Sequence, residues 1–499
     1  MKFKLAAAMA AISALGSAHA LTTADIATAR GNATLKEIYV SGASALRLSF
    51  GAAIQSRCAP GSFDVFFNDA AGANHRAYSC TLASAVGNFA IGTPVLVYKR
   101  DQGGSGQGVN PVAAAAAIAH MVVDNSCVRT AAPQPATSIN QPTYTCGTTA
   151  NVVSDAGISD LEPGIFQTPV NLPGTAPLTA VQLSNLDVGP LAQGLFGVAV
   201  TKQAYLGLQI AQGIVAPGTT SLLDVPADQE TWTAATIATI PSVPTEWVRS
   251  YLTTGGLSGG NNATAKRGWN IVIPTSVDAS SELRKLHVCR RAEGSGTQAA
   301  SNAFFAYNPC NAGTGALAPL NVAANPGTAT SAGTIAALTG TYVSESTSAG
   351  NVEACMNNVD AVAGAYGLAV LGREVNPRRL NNAGIEVGNY RFVKLDGIAP
   401  VRAEAQAGNY PFVYEATMQW NKTVVPAGSD KDAFLRELRT EIGSPVALAV
   451  VDSNTQQGVM APPAAYAGAY LSQVGVNAQF ASRVARVNNN SCAPIRIVK

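Results

Sequence analysis

Charge is scarce in this chain. Asp, Glu, Lys and Arg make up only 12% of its 499 residues, with 32 basic residues against 30 acidic. So small an excess excludes nucleic acid or an anionic membrane surface as the general partner, because such binding needs a basic stripe. Beyond the N-terminus there is no run of the ~20 apolar residues that would span a bilayer, so no membrane insertion is expected. His75, His120 and His287 are far apart, and no two cysteines stand at C-x-x-C spacing. That excludes the common metal centres. The phosphate loop G-x-x-x-x-G-K-[ST] is missing, and Gly104-Ser105-Gly106-Gln107-Gly108 departs from the G-x-G-x-x-G register of dinucleotide sites. Neither an organic cofactor nor a catalytic metal is expected.

What is present begins with an export signal. Lys2 and Lys4 precede an apolar stretch from Leu5 to Leu15, and Ala18-His19-Ala20 has the small-x-small pattern of a cleavage site. Residues 1–20 are therefore expected to be removed, leaving a periplasmic or secreted chain. Removal leaves 32 − 2 = 30 basic residues against 30 acidic. The remaining length, about 480 residues, exceeds one ordinary core and predicts two domains. Cys58, Cys80, Cys127, Cys146, Cys289, Cys310, Cys355 and Cys492 then lie in an oxidising compartment, where an even count favours disulfides. Spacing does not fix connectivity. Pairing sequence neighbours gives Cys58–Cys80, Cys127–Cys146 and Cys289–Cys310, leaving Cys355 with Cys492.

The pattern of strand, glycine/serine loop and helix recurs along the chain. Lys36 to Val40 is β-rich, Ser41-Gly42-Ala43-Ser44 is a loop, and Ala45 to Ile54 reads as helix. Pro94 to Tyr98 is a strand, broken at Asp101 to Gly108, after which Pro111 opens an alanine-rich run to Val123 that reads as helix. Val288-Cys289 leads into Arg290-Arg291-Ala292-Glu293-Gly294-Ser295-Gly296-Thr297 and a helical run from Gln298 to Tyr307. Such alternation predicts an α/β architecture with ligand loops at the strand ends. Thr130 to Thr149, Asn308 to Ser348 and Gly255 to Lys266 lack apolar period and read as surface loops. Leu195 to Val200 reads as a buried strand opening the second domain.

The Arg291 loop carries the chemistry. A helix N-terminus presents unsatisfied N–H groups and the positive end of the dipole, and a guanidinium adds paired donors, so the site attracts a small tetrahedral oxyanion. The alternative is a turn in which Arg291 pairs with Glu293. The Ser105 loop repeats the design. In Gly157-Ile158-Ser159-Asp160, an aspartate beside an anion makes sense if the ligand brings a proton: hydrogen phosphate can donate to Asp160, and fully ionised sulfate cannot. The other reading of Asp160 is a helix cap or turn residue. Gly256-Leu257-Ser258-Gly259-Gly260 matches G-x-S-x-G, but the preceding run, Thr245 to Thr253, reads as helix where a nucleophile elbow needs a strand.

These segments resemble those of periplasmic phosphate-binding proteins, the PstS-like substrate-binding components of ABC importers. Arg290 to Thr297 is similar to that family's R-x-D-G-S-G-T loop, and Val40-Ser41-Gly42-Ala43-Ser44-Ala45 to its G-A-G-A-T loop. Tyr98 to Val109, Gly157 to Asp160, Val393 to Pro400 and Ala407 to Pro411 resemble further segments in the family's order. The resemblance implies a two-lobed venus-flytrap fold with long Ala/Gly/Thr-rich insertions. Its lobes would be residues 21–194 plus 411–499, and 195–410. It also implies a phosphate held by Ser44, Ala45, Ser105 and Asp160 from one lobe and by Arg291, Ser295, Gly296 and Thr297 from the other. The partners implied are inorganic phosphate or a related oxyanion and an ABC importer membrane component. Two residues depart from the pattern: Leu46 stands where the first loop ends in threonine, and Glu293 where aspartate is usual. The rival readings are a secreted or cell-surface interaction protein on the same fold, and a phosphoester hydrolase, for which no nucleophile or metal cluster is visible.

Overall fold

The computed structural model describes residues 20–497, without 70–71, 173, 175, 254–267, 312–314, 321–334, 337–341, 382, 452–456 and 464–478. The signal segment (residues 1–19), Gly255 to Lys266 and the G-x-S-x-G stretch lie outside the described residues.

The first half is built on β1 (Lys36–Gly42), β2 (Pro94–Arg100) and β3 (Ala156–Ser159), with β1 parallel to both of the others. Ile38 and Val40, which share one face of β1, are fully buried, and Ser41 is buried on the opposite face near the strand's end. The helix after the first loop, α1, runs from Arg47 to Ser56 and packs Phe50 and Ile54 into the same core. The long strand β4 (Leu186–Thr201) then carries the chain away. It pairs antiparallel with β8 (Val413–Asn421) from Leu186 to Leu195, and β8 in turn pairs with β3. From Phe196 to Val200 the same strand pairs instead with β7 (Tyr366–Gly372). The second half continues through β5 (Leu286–Arg291) and β6 (Tyr342–Ser346), with β5 parallel to both β6 and β7. The sheet order is thus β6-β5-β7-β4-β8-β3-β1-β2, continued by antiparallel strands His75–Thr81 and Asp64–Phe67. The architecture is α/β and two-lobed, with separate apolar cores around Val198, Leu286 and Trp269 on one side and Ile38, Val65 and Trp420 on the other.

Some local expectations fail. The helix opened by Pro111 stops at Ala113, Ala115 takes φ 51°, and Ala117–Met121 is a strand paired with Thr149–Val153. Alanine's helix preference is worth less than about 1 kcal/mol per residue, and here it yields to ladder pairing and to burial of His120, whose Nε2 lies 2.9 Å from Ser154 Oγ. The soft segment Asn308 to Ser348 contains β6, buried beside β5. Cys58–Cys80 and Cys127–Cys146 are bonded as expected, but the remaining pairs are Cys289–Cys355 and Cys310–Cys492. The crossover helix α3 (Ala349–Asp360) folds back over β5 and sets Cys355 against Cys289, whereas Cys310 is carried beyond α2 (Gly296–Phe305) towards the C-terminal segment.

Backbones meet where the loops of the first half converge. A methyl group on Gly157 would overlap the Gly108 carbonyl, and one on Gly42 or Gly108 would overlap the carbonyl of Ile158. Gln419 on β8 donates to the Gly108 carbonyl at 2.7 Å and fixes the stack from the other side. We expect Gly157→Ala to cost about 1–3 kcal/mol of stability in denaturant unfolding, because backbone cannot move aside. Gly147→Ala, whose methyl would meet nothing within 4 Å, should change it by no more than about 0.5 kcal/mol.

Candidate functional site

Every residue of β5 is buried, and the strand ends on a charge, Arg291. Gly294, at φ 83°, turns the chain, and α2 starts at Gly296 with Ser295 at its N-cap. The Ser295 side chain caps none of the first-turn amides, so the positive end of the helix is left without a side-chain partner of its own. Arg291 and Ser295 are 7% and 5% exposed. Arg291 Nη2 donates to the Thr347 carbonyl at 3.0 Å, while Arg291 Nε and Ser295 Oγ are buried with no hydrogen-bond partner among the described residues. Burial depresses the pKa of the Arg291 guanidinium, and the carboxylates of Asp160 and Glu374 pull it back up.

The second wall comes from the first half. Ser105 is fully buried in the turn after β2. Its Oγ donates to Asp160 Oδ2 and accepts from the Asp160 backbone N–H, both at 3.1 Å. Asp160, one residue beyond β3, meets α2 head-on: a methyl on Gly296 would collide with Asp160 Oδ2 and Ser105 Oγ. Gly106 N–H donates to the Gly294 carbonyl at 2.8 Å, joining the two loops directly. Burial raises the Asp160 pKa, opposed by the Ser105 bond and by the charges of Arg291 and Lys99, and aided by Asp101.

Ser105, Asp160, Arg291, Ser295 and Gly296 therefore lie together where the two loops pack against each other, with Thr297 buried in the next helical position. Ser44 and Ala45 lie half-buried in the turn before α1, with no hydrogen bond placing them on the other site residues. Leu46 is 2% exposed and belongs to the apolar core. Pairing of Arg291 with Glu293 does not occur. Glu293 instead faces Arg290 and Glu345, which are paired across β5 and β6.

Four charged residues not named as site residues from the sequence lie around this cluster, two of them, Lys99 and Asp101, within the Tyr98 to Val109 segment. Lys99, fully buried on β2, donates to the carbonyls of Gly42 (3.2 Å) and Ala43 (2.9 Å) and to Asp101 Oδ1 (2.5 Å). Burial lowers its pKa and Asp101 opposes that. Arg47 sets its Nε 3.0 Å from Asp101 Oδ2, and its charge acts on Arg291. Glu374, in the turn after β7, faces Asp160 and Arg291; burial and then repulsion by Asp160 push its carboxyl up to about 7. The available signal was chemical: Lys and Asp two apart at the end of an otherwise apolar strand are out of place in a core unless paired.

Among the described residues no group of three or more His, Cys, Asp or Glu side chains is placed to hold a metal ion. The chemistry on offer is hydrogen-bond donation from a guanidinium, a hydroxyl and helix amides, faced by carboxylates that can carry or receive a proton.

No protein family model matches the chain, and no curated protein does. Solved structures are similar to it. One is a putative phosphate ABC transporter substrate-binding protein with bound phosphate from Clostridium perfringens, at 9% identity and TM-score 0.40, covering 85% of this chain and 99% of that one. Another is PstS from Borrelia burgdorferi, at 9% identity and TM-score 0.33, covering 84% and 97%. A third is a possible phosphate binding protein from Planctomyces limnophilus, at 10% identity and TM-score 0.33, covering 84% and 92%. At this level the likeness assigns no residue and no ligand.

Glu374 gives a pH signature. Its folded pKa is raised, so the fold binds its proton more tightly than the unfolded chain does, and stability is lost as pH climbs from the ordinary carboxylate range through about 7. Glu374→Gln removes that penalty. Melting curves in acetate at pH 5 and in a non-phosphate buffer at pH 8 should show the variant gaining on the parent at the higher pH. An equal difference at both values would contradict the placement.

Proposed function

We propose that the protein binds inorganic phosphate, or a closely similar protonated oxyanion, where the Ser105–Asp160 and Arg291–Thr297 loops of its two halves meet, and does no chemistry on it. The observation that carries this reading is the pair of buried donors, Arg291 Nε and Ser295 Oγ, left without described partners at the uncapped start of α2. A buried unpaired donor costs on the order of 1–3 kcal/mol, more when charged. A tetrahedral anion satisfies both at once and offsets the desolvation of Arg291. The planar guanidinium gives two parallel bonds to two oxygens, Ser295 and Thr297 add hydroxyls, Gly296 and its neighbours add amides, and Ser44 and Ala45 close the rim. Asp160 sets the choice of anion: the O–H of hydrogen phosphate bridges to its carboxylate, whereas sulfate meets only repulsion.

On this reading the lobes are residues 21–194 plus 411–499, and residues 195–410. They close on the ligand about the two crossings of β4 and β8. Closure excludes water and so strengthens each charged contact. The setting that fits is delivery of the anion to an ABC importer from the periplasm or cell exterior, a compartment compatible with the disulfides.

Calorimetry of ligand-free protein with phosphate, arsenate and sulfate tests the reading; heats for the first two and none for sulfate at neutral pH are expected, and flat titrations throughout would overturn it. Asp160→Asn should narrow the preference for phosphate over sulfate by about tenfold or more, the worth of one buried charged hydrogen bond, while reducing phosphate affinity less. Arg291→Lys should weaken phosphate binding although charge is kept, because the fork is lost. Sulfate exclusion should also erode on acidification, since protonated Asp160 becomes a donor. With its pKa raised, the erosion should begin above the usual carboxylate range; selectivity independent of pH down to 4 would count against Asp160.

A further inference from the structure

The C-terminal segment runs back over the place where β4 and β8 carry the chain between the halves. Gln193 Nε2 on β4 donates to the Val484 carbonyl at 2.6 Å. Arg486 Nη2 donates to the Val413 carbonyl at 3.0 Å, and its guanidinium lies 4.3 Å over the ring of Tyr414. Gln193, Val413 and Tyr414 flank the point at Leu195 and Phe196 where β4 changes partner. Val484–Arg486 and Ile495–Ile497 pair as an antiparallel ribbon. Arg486 Nη1 also donates to the Ser491 carbonyl at 3.1 Å, which braces the turn between the two strands.

That turn holds two distant segments with adjacent residues. Ser491 is 4% exposed; its N–H donates to Glu162 Oε1 at 2.9 Å and its hydroxyl donates to Glu162 Oε2. Glu162 stands two residues after Asp160, and its neighbours Leu161, Ile165 and Phe166 pack into the core around Val198 and Leu286. Cys492 is disulfide-bonded to Cys310, 182 residues away in sequence. Cys310 follows α2, the helix whose opposite end presents Ser295, Gly296 and Thr297. A rotation of the sheet formed by β4 and β8 away from α2 must therefore either drag the ribbon off its anchor at Gln193 and Val413 or pull on the Cys310–Cys492 bond.

We propose that this C-terminal ribbon is a covalent strap that limits the opening of the two halves and slows exchange of the bound anion. The kinetic part rests on the binding reading above; the limit on opening does not. A disulfide that served only as a stability staple would cost melting temperature on removal without changing the dimensions of the folded protein.

The Cys310→Ser/Cys492→Ser variant of the full-length protein separates these roles. In phosphate-free buffer we expect a larger radius of gyration by small-angle X-ray scattering than the parent has, with faster amide hydrogen exchange at residues 160–171 and 296–311. With inorganic phosphate as the probe, stopped-flow release should be several-fold faster. Glu162→Gln/Ser491→Ala, which keeps the disulfide, should move the same readouts part of the way. If the serine variant does not fold, brief treatment of the native protein with dithiothreitol followed by iodoacetamide replaces it: Cys492 is exposed, whereas Cys80, Cys127, Cys146, Cys289 and Cys355 are buried, so the strap bond is reduced first. An unchanged radius and unchanged exchange after either treatment overturn the strap. A wider molecule that gives no heat with phosphate upholds the strap and overturns the anion reading instead.

Discussion

The desolvated charge of Arg291 governs the arrangement around it. A guanidinium at the end of a buried strand is costly unless its donors are met, and the chain brings to it nearly everything that could lower that cost. Asp160 and Glu374 supply opposing charge, Thr347 supplies a carbonyl, and Ser105 holds Asp160 in place. Arg47, Lys99 and Asp101 form a supporting layer beneath the first loop, where the ammonium is committed to two loop carbonyls and a carboxylate. Arg47, Lys99 and Arg291 are thus set close to Asp101, Asp160 and Glu374.

Such convergence needs backbones to approach more closely than side chains allow. The contact of Gly42, Gly108 and Gly157 with neighbouring carbonyls brings the ends of β1 and β3 and the turn after β2 together. Gly296 does the same from the second half, placing the start of α2 directly against Ser105 and Asp160. The glycine-rich composition of these loops is therefore a steric requirement of the site as well as a source of flexible turns.

Much of this was legible in the residues themselves. The strand–loop–helix pattern located β1, β2, β5, α1 and α2 to within a few positions, because apolar runs punctuated by glycine and serine carry local information. Ser105, Asp160 and the Arg291 loop could be singled out by chemical incongruity: charge and hydroxyls where a core strand ends. Long-range information was harder to read. Whether Cys289 meets Cys310 or Cys355 depends on how α3 crosses β5, and spacing does not encode that. The alanine run to Val123 misled because an intrinsic preference of tenths of a kcal/mol lost to a partner strand that was itself unremarkable in sequence. Glu374 escaped notice because nothing in Gly372-Arg373-Glu374-Val375 reveals that the turn faces Asp160. Leu46, read as a departure from a hydroxyl position, is a core residue.

The strand β4 spans 16 residues and lends its first part to one half and its last to the other. Neither half has a complete sheet without it. A fragment containing only one of them would expose a long, apolar, unpaired edge, which is a template for association with other chains. The two halves are thus indivisible for folding, and insertions or fusions are best accommodated in surface loops away from this shared ladder.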